Sequence, residues 1–332
     1  AKEQEEKKTE KQPSHSKEKT KEKNGTVLFR ALLKANNSQA VHDVLAKETH
    51  QLLEKEPLKK HLEMVAKFPH YSQKNIQLLT KQAPEATEVA SVNQWKELGY
   101  ELKDQATPIY VQAPFHTIEK DKNGEPVLDK NGEVVTKVDH HFVPVFDESQ
   151  VVGREKQRDS LDLEDPKQFL SVYQSLKECC PVPITFTFET GLNNGYYDQT
   201  KNQLLVREGL GGELTCLTIV EELSKILVNQ TRPETMIAEE QVKHQFEAEG
   251  LAFVLSSYLG LDASDGYFPF IELKQYQTNE NGLKELTESL AFITKQAQGL
   301  IEKIDTQLEK SKQGYVPKNK FEERLAAVRS SV

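Results

Sequence analysis

The stretch Gln203-Leu204-Leu205-Val206-Arg207-Glu208-Gly209, together with the segment Glu213 to Asn229 that has Val220-Glu221-Glu222-Leu223-Ser224-Lys225 at its centre, decides the fold. The first part is a short apolar run with one branched residue and a closing glycine, which reads as a strand. The second repeats its apolar residues at helical spacing. Upstream, Ile184-Thr185-Phe186-Thr187-Phe188 reads as another strand and Gly191 to Tyr197 as a loop. A helix over Pro166 to Cys179 precedes them, with Phe169, Leu170, Val172, Tyr173 and Leu176 on its apolar side. Downstream, one helix runs from near Glu234 to about Leu259, stopped by Gly260, and another covers Leu283 to Lys310. Two strands followed by helices give an α+β arrangement.

The first half is also mixed. Val41, Val44, Leu45, Leu52 and Leu53 recur at spacings of three, four and seven, an amphipathic helical stripe. Further helices are expected over Leu58 to Phe68, from Ser72 (a natural N-cap) to Gln82 before Pro84, and around Asn93 to Leu98 with the single tryptophan, Trp95. Pro108-Ile109-Tyr110-Val111 and Phe142-Val143-Pro144-Val145-Phe146 read as strands. Between them Asp121-Lys122-Asn123-Gly124-Glu125 is repeated as Asp129-Lys130-Asn131-Gly132-Glu133, and Asn-Gly favours turns with positive φ, so a long protruding hairpin is expected. It is not an EF-hand loop, which needs glycine at its sixth position; here glycine is fourth.

The 332 residues favour two domains. Residues 1–24, nearly all Lys, Glu, Gln, Ser and Thr, are expected to form a disordered charged tail with no apolar core of a secretory leader. A first domain over 25–150, a charged linker over 151–165, a second domain over 166–310 and a polar tail over 311–332 complete the division. The net charge is −9. Lys and Arg exceed Asp and Glu by 2 in residues 1–24, whereas the balance is −3 over 25–150 and −8 over 151–332. A polyanion therefore meets less repulsion in the first half. No apolar run is long enough to cross a bilayer. The three cysteines, Cys179, Cys180 and Cys216, form no disulfide framework and suit a reducing cytoplasm.

Serine or cysteine hydrolase chemistry finds no motif: there is no Gly-x-Ser-x-Gly elbow, and Cys216 sits on the apolar side of its helix. The informative cluster is Glu221-Glu222-Leu223-Ser224-Lys225, in which Glu221 and Lys225, four apart, share a helix face. Taken alone it is a surface ion pair. Its surroundings are Val206-Arg207-Glu208-Gly209 on the preceding strand and Glu247-Ala248-Glu249-Gly250-Leu251 on the following helix. Cys180-Pro181-Val182-Pro183-Ile184, Gly195-Tyr196-Tyr197 and Tyr258-Leu259-Gly260-Leu261-Asp262 lie beside them. In the first half stand Tyr71-Ser72-Gln73-Lys74-Asn75, Pro84-Glu85-Ala86-Thr87-Glu88-Val89, Trp95, Gln112-Ala113-Pro114 and Val145-Phe146-Asp147-Glu148-Ser149-Gln150.

In these motifs the chain resembles the ArdC-type antirestriction family. The resemblance implies an α+β protein with an N-terminal single-stranded-DNA-binding domain carrying the long hairpin, then a zincin-like metallopeptidase domain. In a zincin, two histidines at i and i+4 and a third ligand from the next helix hold zinc, and the glutamate beside the first histidine is the general base. Here Glu221 and Lys225 stand at the histidine positions, Glu222 at the general-base position and Glu247 at the third-ligand position. An ammonium has no lone pair to donate, so the zinc of the family is expected to be lost, with no cofactor in its place and a catalytically inactive domain. Lys225 is expected to neutralise Glu221, Glu247 or both. A relocated site from Glu222, His244 and Glu247 is an alternative, and His116 with His140 or His141 is another cluster. For DNA, the resemblance points to Lys67, Tyr71, Lys74, Lys81, Trp95, Lys96 and Lys103, with Tyr110; Tyr71 and Trp95 also suit core packing. The family's basic, glycine-rich turn is replaced by Leu102-Lys103-Asp104-Gln105-Ala106-Thr107. The function implied is protection of plasmid DNA during conjugation, in the cytoplasm, with single-stranded DNA and a protein of the mobile element as partners and no membrane. The other readings are a protein-binding scaffold without DNA and a metallopeptidase with a relocated site.

Overall fold

The structure is a computed structural model that describes residues 15–154, 162–232, 236–261 and 273–312. Residues 1–14 of the expected tail, 155–161 of the expected linker, 313–332 of the expected C-terminal tail and Asp262 lie outside them.

Helix α1, His15–Lys34, begins nine residues before residue 24, where the charged tail was expected to end. The reason is local: Lys and Glu are good helix formers, and the apolar residues Phe29 and Leu33 farther along anchor the helix on α2. Asn36, at φ 53, turns the chain into α2, Ser38–Thr49, whose N-cap is Asn37. A 3₁₀ turn, His50–Leu53, breaks the stripe from Val41 to Leu53 before α3, Lys55–Lys67. Helix α4, Gln73–Gln82, is capped by Ser72, whose hydroxyl accepts the Asn75 N–H. Strand β1, Val89–Ala90, and helix α5, Val92–Glu97, follow; α5 starts in a capping box of Ser91 and Gln94.

Strands β2, Ile109–Ile118, and β3, Thr136–Asp147, are twice as long as the apolar runs suggested. They pair antiparallel from Ile109 opposite Val145 to Ile118 opposite Thr136, and β1 adds to the other edge of β3. Side-chain amides seal the free edge of β2. Asn75 exchanges two hydrogen bonds with Gln112 of β2 (2.9 and 2.7 Å), and Gln82, two turns along α4, does the same with Tyr110 (2.8 and 2.9 Å). Each amide thus replaces a missing strand. Beyond Ile118 the repeated pentapeptides form two matching turns: Asp121 and Asp129 each accept two backbone N–H groups, and Gly124 and Gly132 adopt φ 87 and 83.

In the second half α6, Pro166–Cys179, is capped by Asp165. Strand β4, Ile184–Thr187, runs parallel to β6, Gln203–Arg207. Between them in sequence, β5, Gly195–Asp198, pairs antiparallel with β6, where a loop from Gly191 to Tyr197 was expected. The strand escapes the apolar pattern because it opens with Gly195. A Cβ there would lie 2.6 Å from Thr218 Cγ2 and 2.7 Å from the Leu205 carbonyl, so only glycine lets β5 approach. Helices α7, Gly212–Thr231, and α8, Ala238–Tyr258, pack on each other. A short α9, Leu273–Thr278, and a long α10, Gly282–Lys312, close the fold.

One apolar cluster runs through both halves, from Leu58, Leu62 and Val65 of α3 to Leu251 and Leu255 of α8 and Ile293 and Ile301 of α10. Polar contacts follow it: Gln298 donates to the Tyr71 carbonyl (2.7 Å) and Gln277 to that of Leu53 (2.7 Å). His61 is buried on α3 with Nε2 unpaired, and burial pushes its pKa down to about 4. Below the ordinary imidazole value of about 6.5, the unfolded chain takes up a proton that the folded chain refuses. Stability from this group is therefore complete above pH 6.5 and falls as the pH drops towards 4, by roughly 3 kcal/mol. Urea melts of wild type and His61→Leu should show wild type losing about that much relative to the variant between pH 7 and pH 4. A pH-independent difference contradicts the burial argument.

Candidate functional site

Helix α7 leaves the end of β6 through Glu208-Gly209 and carries Glu221, Glu222 and Lys225 at its middle. Its other faces, with Cys216, Ile219, Val220, Leu223 and Ile226, are buried against the sheet and neighbouring helices. The charged face meets α8 along a cleft of about 950 Å³ lined by Tyr197, Glu221, Lys225, Arg232 and His244 among others.

Lys225 Nζ lies 2.7 Å from Glu221 Oε1 and 2.9 Å from Glu222 Oε1. Glu222 is 8% exposed, and its other oxygen accepts the Tyr197 N–H of β5 at 3.1 Å. The glutamate is thus tied to both the sheet edge and the lysine. Burial opposes the Lys225 charge, but hydrogen bonds and attraction from the two carboxylates outweigh it, so its pKa stands above the ordinary lysine value.

Glu247 is 0% exposed. The sequence reading paired Lys225 with Glu221, Glu247 or both; Glu247 instead belongs to Arg232, at the C-terminal end of α7. Arg232 Nε donates to Oε2 at 2.8 Å and Nη2 to Oε1 at 2.6 Å, and the Ser289 hydroxyl of α10 donates to Oε1 at 3.0 Å. The guanidinium lies 4.1 Å from the centre of the Phe292 ring. Burial pushes the neighbouring Tyr276 hydroxyl up to about 12, and the Glu247 charge adds to it. Arg232 and Ser289 were not singled out from the sequence, and Tyr197 only as part of Gly195-Tyr196-Tyr197, with no role given to it. The one available signal was Glu247 itself, a charge flanked by Phe246, Ala248 and Leu251 that needs a partner once buried.

The donors of this centre do not suit zinc. Glu221 and Glu222 are engaged by an ammonium and both oxygens of Glu247 by a guanidinium. Among the described residues, no three His, Cys, Asp or Glu side chains are grouped to hold a metal ion. His244 is half-buried in the cleft wall, one turn before Glu247. On the hairpin, His116 opposite Val138 and His140 opposite Pro114 share a face, whereas His141 binds Asn36 (2.7 Å). Burial raises the pKa values of Cys179 and Cys216 to about 11 and about 12, which leaves both as thiols.

The chain is similar to the antirestriction ArdC protein from the R388 plasmid. Against its metal-free crystal structure the identity is 18%, over 68% of this chain and 84% of that one, with a TM-score of 0.39. Against its Mn(II)-bound structure the identity is 18%, over 70% and 83%, with a TM-score of 0.42. No protein-family model matches the chain, and no curated protein matches it.

The residues singled out for DNA are spread over the first half. Lys67 ends α3, and Lys74 and Lys81, seven apart, share a face of α4. Lys81 is paired with Glu48 and lies over the Phe29 ring (4.8 Å). Lys96 is exposed, and exposed Lys103 donates to the Ser149 carbonyl (2.8 Å). Tyr71 is half-buried, edge-on to Phe68, and Tyr110 packs beside Phe142. Trp95 is 0% exposed, its indole N–H donates to the Phe146 carbonyl (2.8 Å) and Arg154 covers one face at 4.9 Å. It is a core residue and offers no face to a base. The cause is the sheet end, where Phe146 and Val151 need a large apolar partner.

Lys225 is 43% exposed, so its ion pairs are partly screened. Lys225→Met should cost about 1 kcal/mol, chiefly by stranding Glu222, and Lys225→Met with Glu222→Gln should cost less than Lys225→Met alone. Chemical denaturation of the three proteins at pH 7 measures both differences.

Proposed function

We propose that the chain acts as an antirestriction protein of ArdC type: a cytoplasmic single-stranded-DNA-binding protein of a conjugative element whose zincin-like half does not hydrolyse peptides. The observation that carries the reading is the convergence of the matched motifs. Glu221, Lys225 and Arg232 line one cleft with Tyr197 of β5 and His244 of α8, Lys225 also binds Glu222, and Arg232 holds Glu247 of α8. The chemistry of that cleft supports the inactive half of the proposal. A general base needs a free carboxylate beside activated water, and Glu222 is spent on Lys225 and on the Tyr197 N–H. A relocated peptidase centre at Glu222, His244 and Glu247 meets the same objection, since both carboxylates are engaged.

DNA binding draws support from the first half, where Lys96 and Lys103 are exposed and Lys67 and Lys74 half-exposed. The chemistry would be backbone neutralisation by lysine rather than stacking on Trp95. A protein partner is a second reading, favoured by exposed apolar side chains on the hairpin: Phe115, Ile118, Leu128 and Val138 are each about half exposed.

Fluorescence anisotropy of labelled oligo-dT with the full chain separates these readings. The expected result is binding at low salt that weakens steeply with added salt. Lys96→Glu with Lys103→Glu should lower both the affinity and the salt slope. Absence of binding at low salt would sink the DNA assignment and leave the protein-partner reading. Chelator-sensitive cleavage of casein by the purified chain would overturn the non-hydrolytic assignment.

A further inference from the structure

Three carboxylates and two cations meet where α7 and α8 pack, and they fall into two unequal halves. Glu221 and Lys225 are 39% and 43% exposed and face the cleft. Glu247 has no exposure, and Arg232 is 28% exposed. A carboxylate taken out of water must be compensated by charge and hydrogen bonds at its own position. Arg232 supplies both: its planar fork covers the two oxygens of Glu247, and Ser289 takes a further lone pair. The guanidinium is fixed from its other side by Phe292. One contact set therefore joins the end of α7, the middle of α8 and the first turns of α10.

We propose that Arg232 is the internal cation of this centre: with Lys225 it supplies the two positive charges that one divalent ion would bring, and by covering both oxygens of Glu247 it keeps such an ion out. The cleft is consequently assembled at all times, independent of metal supply. The cations also differ in role. Arg232 neutralises a buried carboxylate and carries the packing of three helices. Lys225 neutralises half-exposed Glu221 and buried Glu222 and contributes less to stability than Arg232. The lysine at the second histidine position is thus only part of what excludes metal, and restoring histidines alone is insufficient to restore a site.

The test uses the full chain and reads bound zinc by mass spectrometry after dialysis, together with Tm. Wild type should melt at the same temperature in chelator and in zinc. Arg232→Gln should lower Tm by several degrees, and Arg232→Gln with Glu247→Gln should regain part of the loss, since no buried charge is left unpaired. Glu221→His with Lys225→His should retain no stoichiometric zinc while Arg232 is present. Adding Arg232→Gln to that pair should give one zinc per chain and a Tm that rises with zinc. Stoichiometric zinc in the two-histidine protein, none in the triple variant, or a wild-type Tm for Arg232→Gln would each overturn the proposal. The zinc arms rest on the reading of the cleft as a lost metal centre and the Tm arm does not, so failure of one is distinguishable from failure of the other.

Discussion

A carboxylate with no contact to solvent cannot remain ionised without a partner fixed in place, and Glu247 is such a group. Its partner lies fifteen residues back along the chain, at the end of α7, and its third hydrogen bond comes from α10. Those contacts specify position more than they add energy. A buried ion pair is often no more stable than well-packed apolar residues, but a broken one is costly. The requirement that Arg232 and Ser289 reach one carboxylate therefore restricts how three helices can sit together more tightly than apolar packing by Leu251 or Ile293 does.

The same constraint shapes the chemistry of the cleft. Its walls carry Gln199, Asn229, Gln230, Gln241 and Gln245 beside the charged cluster, and Ile226, Met236 and Ala248 as well, so it is of mixed polarity. Within the cluster each carboxylate already has a cation at hydrogen-bonding distance. Glu222, hydrogen-bonded through one oxygen to the Tyr197 N–H of β5 and through the other to Lys225, is held in one orientation. Such a centre can position helices and present amides and charges to the cleft.

Much of the second half was legible from local signals. Asp165-Pro166 marks the start of α6 and the Cys180-Pro181 step its end, and both lie where the sequence reading placed them. The helix carrying Glu221 was legible from its apolar spacing; the one carrying Glu247 begins at Ala238, not near Glu234 (which lies outside the described residues), and has no side-chain cap to mark its start. What escaped was set by tertiary contact. Strand β5 depends on a glycine whose value lies in its distance from Thr218 and the Leu205 carbonyl, and β1 is two residues long. Arg232 has no periodic signature, because its role is defined by a residue on another helix. The partition of Tyr71, just before α4, and Trp95, in α5, between core and surface was also open, since an aromatic residue in or beside a short helix looks the same in sequence whether it packs inward or outward.

The two halves are coupled by more than a linker. Helix α8 presents Glu247 to Arg232 and, in the same apolar cluster, meets α3 through Leu58, Leu62 and Val65. Helix α10 presents Ser289 to the clasp and Gln298 to the carbonyl of Tyr71. The α3–α4 pair, which bears Lys67, Tyr71, Lys74 and Lys81, therefore rests on the two helices that the buried carboxylate holds in register. This gives the cleft a structural reason to stay intact whatever its chemistry. Loosening α8 against α10 would move the platform on which the first half is built, so the charge on Glu247 must be matched whether or not any ligand enters the cleft.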